Sequence, residues 1–348
     1  MPLVTDYQQV KDIYKEAAEL GVALPAFCCE DRATLEAILA SAKEKGEELG
    51  VEDLPILPTF TVRYPPWSQM KLITACGDPV LGIRLMLSDL ELFASEDSPY
   101  GKLRIAPNVD HAFPWLDGDI LDGFVDRVAG IMFDASERPF EENIKLTAEY
   151  VEKVHGRVVV EGAVDELYEA DGMQTKNELT TVAQAQRFLT ETGVDILVPN
   201  VGSEHRATSQ EIEYRSDRAR EISAAVGKIL CLHGSSSLRM SSAAHLPDDG
   251  FVKVNIYTTL AVSGGQAVAR HVLNNLGNIF TEAQLKELVD EGVIGEIAAS
   301  PEFGDNEAPI KPKLAAVTNP SRRDAWFVAV KNRCKEYLDL FHYQRYAQ

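Results

Sequence analysis

The stretch Leu103-Arg104-Ile105-Ala106-Pro107-Asn108-Val109-Asp110-His111 decides the fold reading. It is a short apolar run that ends in an aspartate and a histidine. Seven further runs share its character: Val22 to Phe27, Leu54 to Val62, Gly130 to Phe133, Arg157 to Val160, Asp195 to Pro199, Lys228 to Leu232 and Phe251 to Ile256. Most are continuously apolar instead of alternating, which is the pattern of parallel strands buried on both faces. Helical stretches lie between them. Val10, Ile13, Tyr14 and Ala17 follow i, i+3, i+4, i+7 spacing behind a Thr5-Asp6 cap, and Ala33 to Glu47, Ile144 to Val154, Thr180 to Thr192 and Gln210 to Val226 also read as helices. Eight strand–helix alternations in an α/β chain predict a (β/α)8 TIM barrel over residues 1–280, with a C-terminal helical extension, 281–348, packed on it. A doubly wound sheet is the alternative.

Composition narrows the partners. The chain has 348 residues, 45% hydrophobic and 25% charged, with a net charge of -20. That charge argues against nucleic acid or an anionic membrane as the main partner. The five cysteines, Cys28, Cys29, Cys76, Cys231 and Cys334, form no spaced framework, which fits a reducing compartment. No signal segment or membrane-length apolar run is evident, so the cytoplasm is the expected location.

Barrel chemistry sits at the C-terminal strand ends. Those ends offer Cys28 and Cys29, Thr61 and Arg63, Asp110 and His111, Asp134 and Ser136, Glu161, Asn200 and His205, His233 to Ser237, and Asn255 to Thr259. Only seven histidines are present, and three of them, His111, His205 and His233, fall there. Three converging imidazoles would form a catalytic zinc site with an open fourth position. A lone histidine after a strand is usually structural, so the argument rests on the three together. Asp110, beside a ligand candidate, suits acid–base work. The turn His233-Gly234-Ser235-Ser236-Ser237 suits an anion, because small residues opening a helix present backbone N–H groups. Glu161 to Asn177 reads as a mobile acidic loop over the site.

With those residues in place, the chain resembles the class II, metal-dependent fructose-bisphosphate and ketose-bisphosphate aldolases. The likeness is carried by Val109-Asp110-His111, by Phe133-Asp134-Ala135-Ser136 through Pro139 to Ile144, by Thr192-Gly193-Val194-Asp195 leading to Gly202-Ser203-Glu204-His205, by Leu232-His233-Gly234 and by Lys253-Val254-Asn255-Ile256. The resemblance implies a barrel, a homodimer or higher homo-oligomer, and zinc, or another divalent transition metal, on His111, His205 and His233. It implies reversible cleavage of a phosphorylated ketose to dihydroxyacetone phosphate and an aldehyde through a metal-stabilised enediolate. It gives Asp110 the proton at the hydroxyl where cleavage begins and a loop glutamate, here assigned to Glu169, the proton on the enediolate carbon. Gly234, Ser236, Asn255 and Thr258 match the ketose and phosphate end, where Ser235 is also expected to bind, with Thr61 near the substrate.

The chain departs from that pattern. Arg206 stands where a glycine follows the second histidine, Tyr257 where an aspartate follows the asparagine motif, Ser235 in a usual Gly-Gly pair, Cys28 for an asparagine and Ala163 for a glutamate. A cation gained at Arg206 and an acid lost at Tyr257 should make that end of the pocket more positive, and arginine grips phosphate in a bidentate fork. The other readings are a metal-dependent aldolase or epimerase acting on a non-bisphosphate hydroxy-ketone or sugar acid, a metal hydrolase on the same barrel, and a non-catalytic binding protein.

Overall fold

The computed structural model describes residues 3–65, 67–165, 168–169, 179–205, 214–235, 238–300, 303–304 and 312–348, with backbone alone at 168–169, 204–205 and 319–321. Eight parallel strands form the frame: β1 (Leu24–Cys28), β2 (Pro55–Thr61), β3 (Asn108–Ala112), β4 (Gly130–Phe133), β5 (Val159–Ala163), β6 (Ile196–Val198), β7 (Leu230–Leu232) and β8 (Phe251–Ile256). Each pairs with the next, and β1 pairs with both β2 and β8, so the sheet closes into a barrel. Every residue of β1, β2 and β8 is buried, as continuous apolar runs require when helices cover the outside and side chains fill the inside.

The run Leu103 to Val109 proves to be two pieces. Arg104–Ile105 pairs with the start of β2, and β3 begins only at Asn108, because Pro107 interrupts the ladder. His111 lies inside β3, not after it, and has φ 45°, a left-handed backbone rare for a residue with a Cβ. The β3–β4 register slips between Val109 and Ala112, so Asp110 and His111 sit on an irregularity of the kind that re-aims side chains beside active sites. Glu161 was expected to open the loop; it is instead buried inside β5.

The helices start where local chemistry says. Asp6 caps α1 (Tyr7–Leu20) by accepting from Gln9 N at 3.0 Å, and Gly21 ends it in the left-handed region. Thr181 and Gln184 form a capping box on α2 (Val182–Thr192). A helix the apolar pattern did not mark, Pro79–Phe93, lies between β2 and β3. The chain divides into two compact units, Met1–Thr258 with Cys334–Gln348, and Thr259–Arg333. In the first, the returning C-terminus packs Tyr337 against Phe27 and bonds Tyr343 Oη to the Pro55 carbonyl at 2.8 Å. In the second, a Cβ on Gly264 would lie 2.5 Å from the Trp326 ring, so only glycine admits that indole.

Candidate metal centre and substrate cleft

The C-terminal mouth of the barrel is a cleft lined by Asp110 and His111 of β3, His233, Gly234 and Ser235 after β7, and Asn255 to Thr258 at the end of β8. Cys28, Thr61, Tyr64, Trp67 and Gln69 complete it from the β1 and β2 sides. Donor atoms of Asp110, His111 and His233 all lie within 4.8 Å of one another, and all three residues are buried.

Each imidazole commits one nitrogen to a carboxylate. His111 Nδ1 is 2.7 Å from Asp134 Oδ2, and Asp134 is itself held by Ser136 through the backbone N–H at 3.0 Å and the hydroxyl at 2.6 Å. His233 Nε2 is 2.8 Å from Glu161 Oε1, and Lys253 bonds Glu161 through the other oxygen. A carboxylate on the outer nitrogen fixes the tautomer and aims the inner nitrogen, which is how metal-binding histidines are normally held. Asp110 is oriented too: Asn255 Nδ2 donates to its Oδ1 at 2.9 Å, and the Ser235 hydroxyl donates to the Asn255 carbonyl at 2.5 Å.

Charge follows from this packing. Burial opposes a proton on His111, but Asp110, Asp134 and Glu161 outweigh it and push the imidazole up to about 9 without metal. Burial would raise Glu161, yet Lys253 and His233 hold it far below the usual carboxylate range. Lys253 is raised well above an ordinary lysine, because the charge of Glu161 more than offsets its burial.

The donor set fits a divalent metal. Two imidazoles and a carboxylate, buried and convergent, suit zinc and several other transition ions. A second group, Glu161, Cys231 and His233, also converges within 4.8 Å. There the Lys253 ammonium already neutralises Glu161, so the first group is the better cation site.

The other expected residues divide as follows. The backbones of Glu169 and His205 pair in register in a short parallel bridge, with Tyr168 opposite Glu204. That places the expected loop acid beside the expected third ligand along the chain; their side chains lie outside the described residues, as do Arg206 and Ser236. Thr61 lines the cleft, but its hydroxyl donates to the Trp67 carbonyl at 2.8 Å, tying down the loop after β2. Gly234, Ser235, Tyr257 and Thr258 line the cleft, and Thr258 opens a 17-residue helix. Sequence reading gave no role to Asp134, Glu161 or Lys253. The first two were visible as strand-end acids, and a lysine in the apolar run Phe251 to Ile256 was the signal for the third.

The family model described as "Fructose-bisphosphate aldolase class-II" matches residues 8–341. The chain belongs to the class II fructose-bisphosphate aldolase family. Similar curated proteins include the fructose-bisphosphate aldolases of Staphylococcus epidermidis, 27% identical over 87% of this chain and 98% of theirs, and of Staphylococcus aureus, 30% identical over the same shares. Among solved structures, a fructose-bisphosphate aldolase from Campylobacter jejuni superposes with a TM-score of 0.73 at 17% identity, covering 98% of this chain and 96% of that one. The YdjI aldolase from Escherichia coli K12 gives 0.64 at 20% identity, covering 97% and 98%. These structures share the barrel, and family membership makes the chain an aldolase-type lyase of a generally metal-dependent class.

Proposed function

We propose that the chain is a zinc-dependent aldolase cleaving a phosphorylated ketose to dihydroxyacetone phosphate and an aldehyde. The observation that carries this is the buried cluster of Asp110, His111 and His233, each held by a partner of its own. His111 and His233 would hold the metal with His205, and imidazole donors suit zinc among several divalent transition ions. Lewis-acid polarisation of the substrate's carbonyl and hydroxyl oxygens is what the bound ion would supply.

The chain's own groups do the rest. Asp110, steadied by Asn255, takes the proton from the hydroxyl beside the scissile bond. The carbon–carbon bond then breaks, the aldehyde forms, and the electron pair stays on the ketose fragment as an enediolate. Glu169, on the segment paired with His205, returns a proton to that carbon. The phosphate lies against Gly234, Ser235, Ser236 and Thr258, with Arg206 supplying the bidentate cation, and Thr61, Asn255 and Tyr257 line the rest of the substrate space. If Arg206 does so, Arg206→Ala weakens binding of the phosphorylated fragment; unchanged affinity removes it from the site. A homodimer or larger homo-oligomer in the cytoplasm completes the proposal, and light scattering tests the assembly. No helix among the described residues is long and apolar enough to cross a membrane.

Proton exchange tests the reaction without knowing the aldehyde. Metal-loaded protein with dihydroxyacetone phosphate in D₂O should place deuterium stereospecifically on the hydroxymethyl carbon, and a chelator should stop it. No exchange with metal bound would rule out that fragment.

A further inference from the structure

The two sides of the cleft differ in chemistry. On the β7–β8 side, Gly234, Ser235 and Thr258 offer small residues, hydroxyls and a helix start. At the adjoining β1–β2 strand ends stand Tyr64 and Trp67, with Tyr257 from β8, the strand paired with β1. Glu30 joins two of these rings: its Oε2 accepts from Tyr257 Oη at 2.5 Å and from Trp67 Nε1 at 3.3 Å. The rings have centroids 6.3 Å apart, inclined at 41°. Both of their polar handles are spent on Glu30, so ring surface is what they have left to offer.

The platform is fixed in place. Thr61 donates its hydroxyl to the Trp67 carbonyl and its backbone N–H to Gln69 Oε1 at 2.7 Å, while Gln69 N donates back to the Thr61 hydroxyl at 3.0 Å. No lysine or arginine lines the cleft among the described residues. The cation nearest in sequence, Arg63, is clamped by Asp119 at 2.6 and 2.8 Å.

We propose that the β1–β2 side of the cleft receives an uncharged, polyhydroxylated fragment, so that the substrate is a ketose carrying a single phosphate and the aldehyde released carries none. This rests on the aldolase reading above and assigns the other half of its substrate. An aromatic face carries negative charge density that attracts polarised C–H groups of a sugar chain and repels an anion. The Glu30 carboxylate adds a like charge against a phosphate at the same place. Glu30 and Trp67 are thus specificity-determining residues.

The test is condensation of dihydroxyacetone phosphate with glyceraldehyde or with glyceraldehyde 3-phosphate on one preparation of metal-loaded full-length protein. The readout is the ratio of the two kcat/KM values, which does not depend on how much of a variant is folded. The wild type should favour glyceraldehyde by about tenfold or more. Glu30→Gln should shrink the ratio by removing the like charge. Trp67→Ala should shrink it through a higher KM for glyceraldehyde, and Trp67→Phe, which keeps a ring, should restore much of it. A preference for glyceraldehyde 3-phosphate, or a ratio unmoved by Glu30→Gln and Trp67→Ala, overturns the proposal. Absence of deuterium exchange into dihydroxyacetone phosphate would overturn the aldolase reading itself, and this one with it; exchange with the wrong aldehyde preference overturns only this one.

Discussion

At the scale of single residues, the centre is a set of side chains aimed by others. Asp134 does nothing to a substrate directly; it holds the His111 ring at 2.7 Å. Asp134→Ala should therefore weaken zinc binding by about 10- to 100-fold, measured by competition with a chelator, while the circular dichroism spectrum is kept. Unchanged affinity would mean that His111 is not a ligand. Protons give a second check. In the metal-free protein His111 is raised to about 9, above the ordinary imidazole value. Its charged contacts then stabilise the fold fully below pH ~6.5, and that contribution is lost as pH rises through about 9. Metal must displace the same proton, so apparent zinc affinity should climb with pH up to about 9 and then level off. An affinity flat between pH 6.5 and 9 would show that His111 keeps its proton or stays off the metal. His111 and His233 were legible because both end apolar runs. Asp134 and Glu161 were visible only as acids at strand ends, since 23 and 72 residues separate each from the histidine it holds. Sequence order does not reveal that contact.

At the scale of elements, the strand ends deliver these groups because the barrel brings β3, β5, β7 and β8 around one axis. Glu161 on β5 meets His233 after β7 and Lys253 on β8, all nearly fully buried. Breaking such a buried pair on one side leaves an uncompensated charge. Lys253→Met should cost about 3–5 kcal/mol in urea unfolding. Lys253→Met with Glu161→Leu should cost less than the two single changes added, and simple additivity would mean that the pair is not coupled. Beside it, a Cβ on Gly162 would lie 2.9 Å from Val194 and 3.0 Å from Phe188. Gly162→Ala should therefore destabilise the β5–α2 packing by roughly 1–3 kcal/mol; a neutral result in the same unfolding experiment would mean that α2 yields easily. Strand existence was readable from continuous apolar runs, but strand boundaries were not. Pro107 splits one run, and Val159–Ala163 carries Glu161 into the barrel where a loop was expected, because a paired acid can be buried. The helix Pro79–Phe93 escaped notice because it is apolar nearly all round, which blurs its 3.6-residue period.

At the scale of the whole molecule, the closed ring of eight strands and family membership make this an aldolase barrel, and Asp110, His111 and His233 converge at its mouth. The account turns on whether a metal sits among His111, His205 and His233. X-ray absorption at the zinc edge on stoichiometrically loaded protein addresses that directly. The account predicts one zinc per chain in a shell of imidazole nitrogens and oxygen without sulfur, lost in His233→Ala. A sulfur-containing shell would move the ion to Cys231 and Glu161, and failure to retain zinc at all would contradict the metal centre outright.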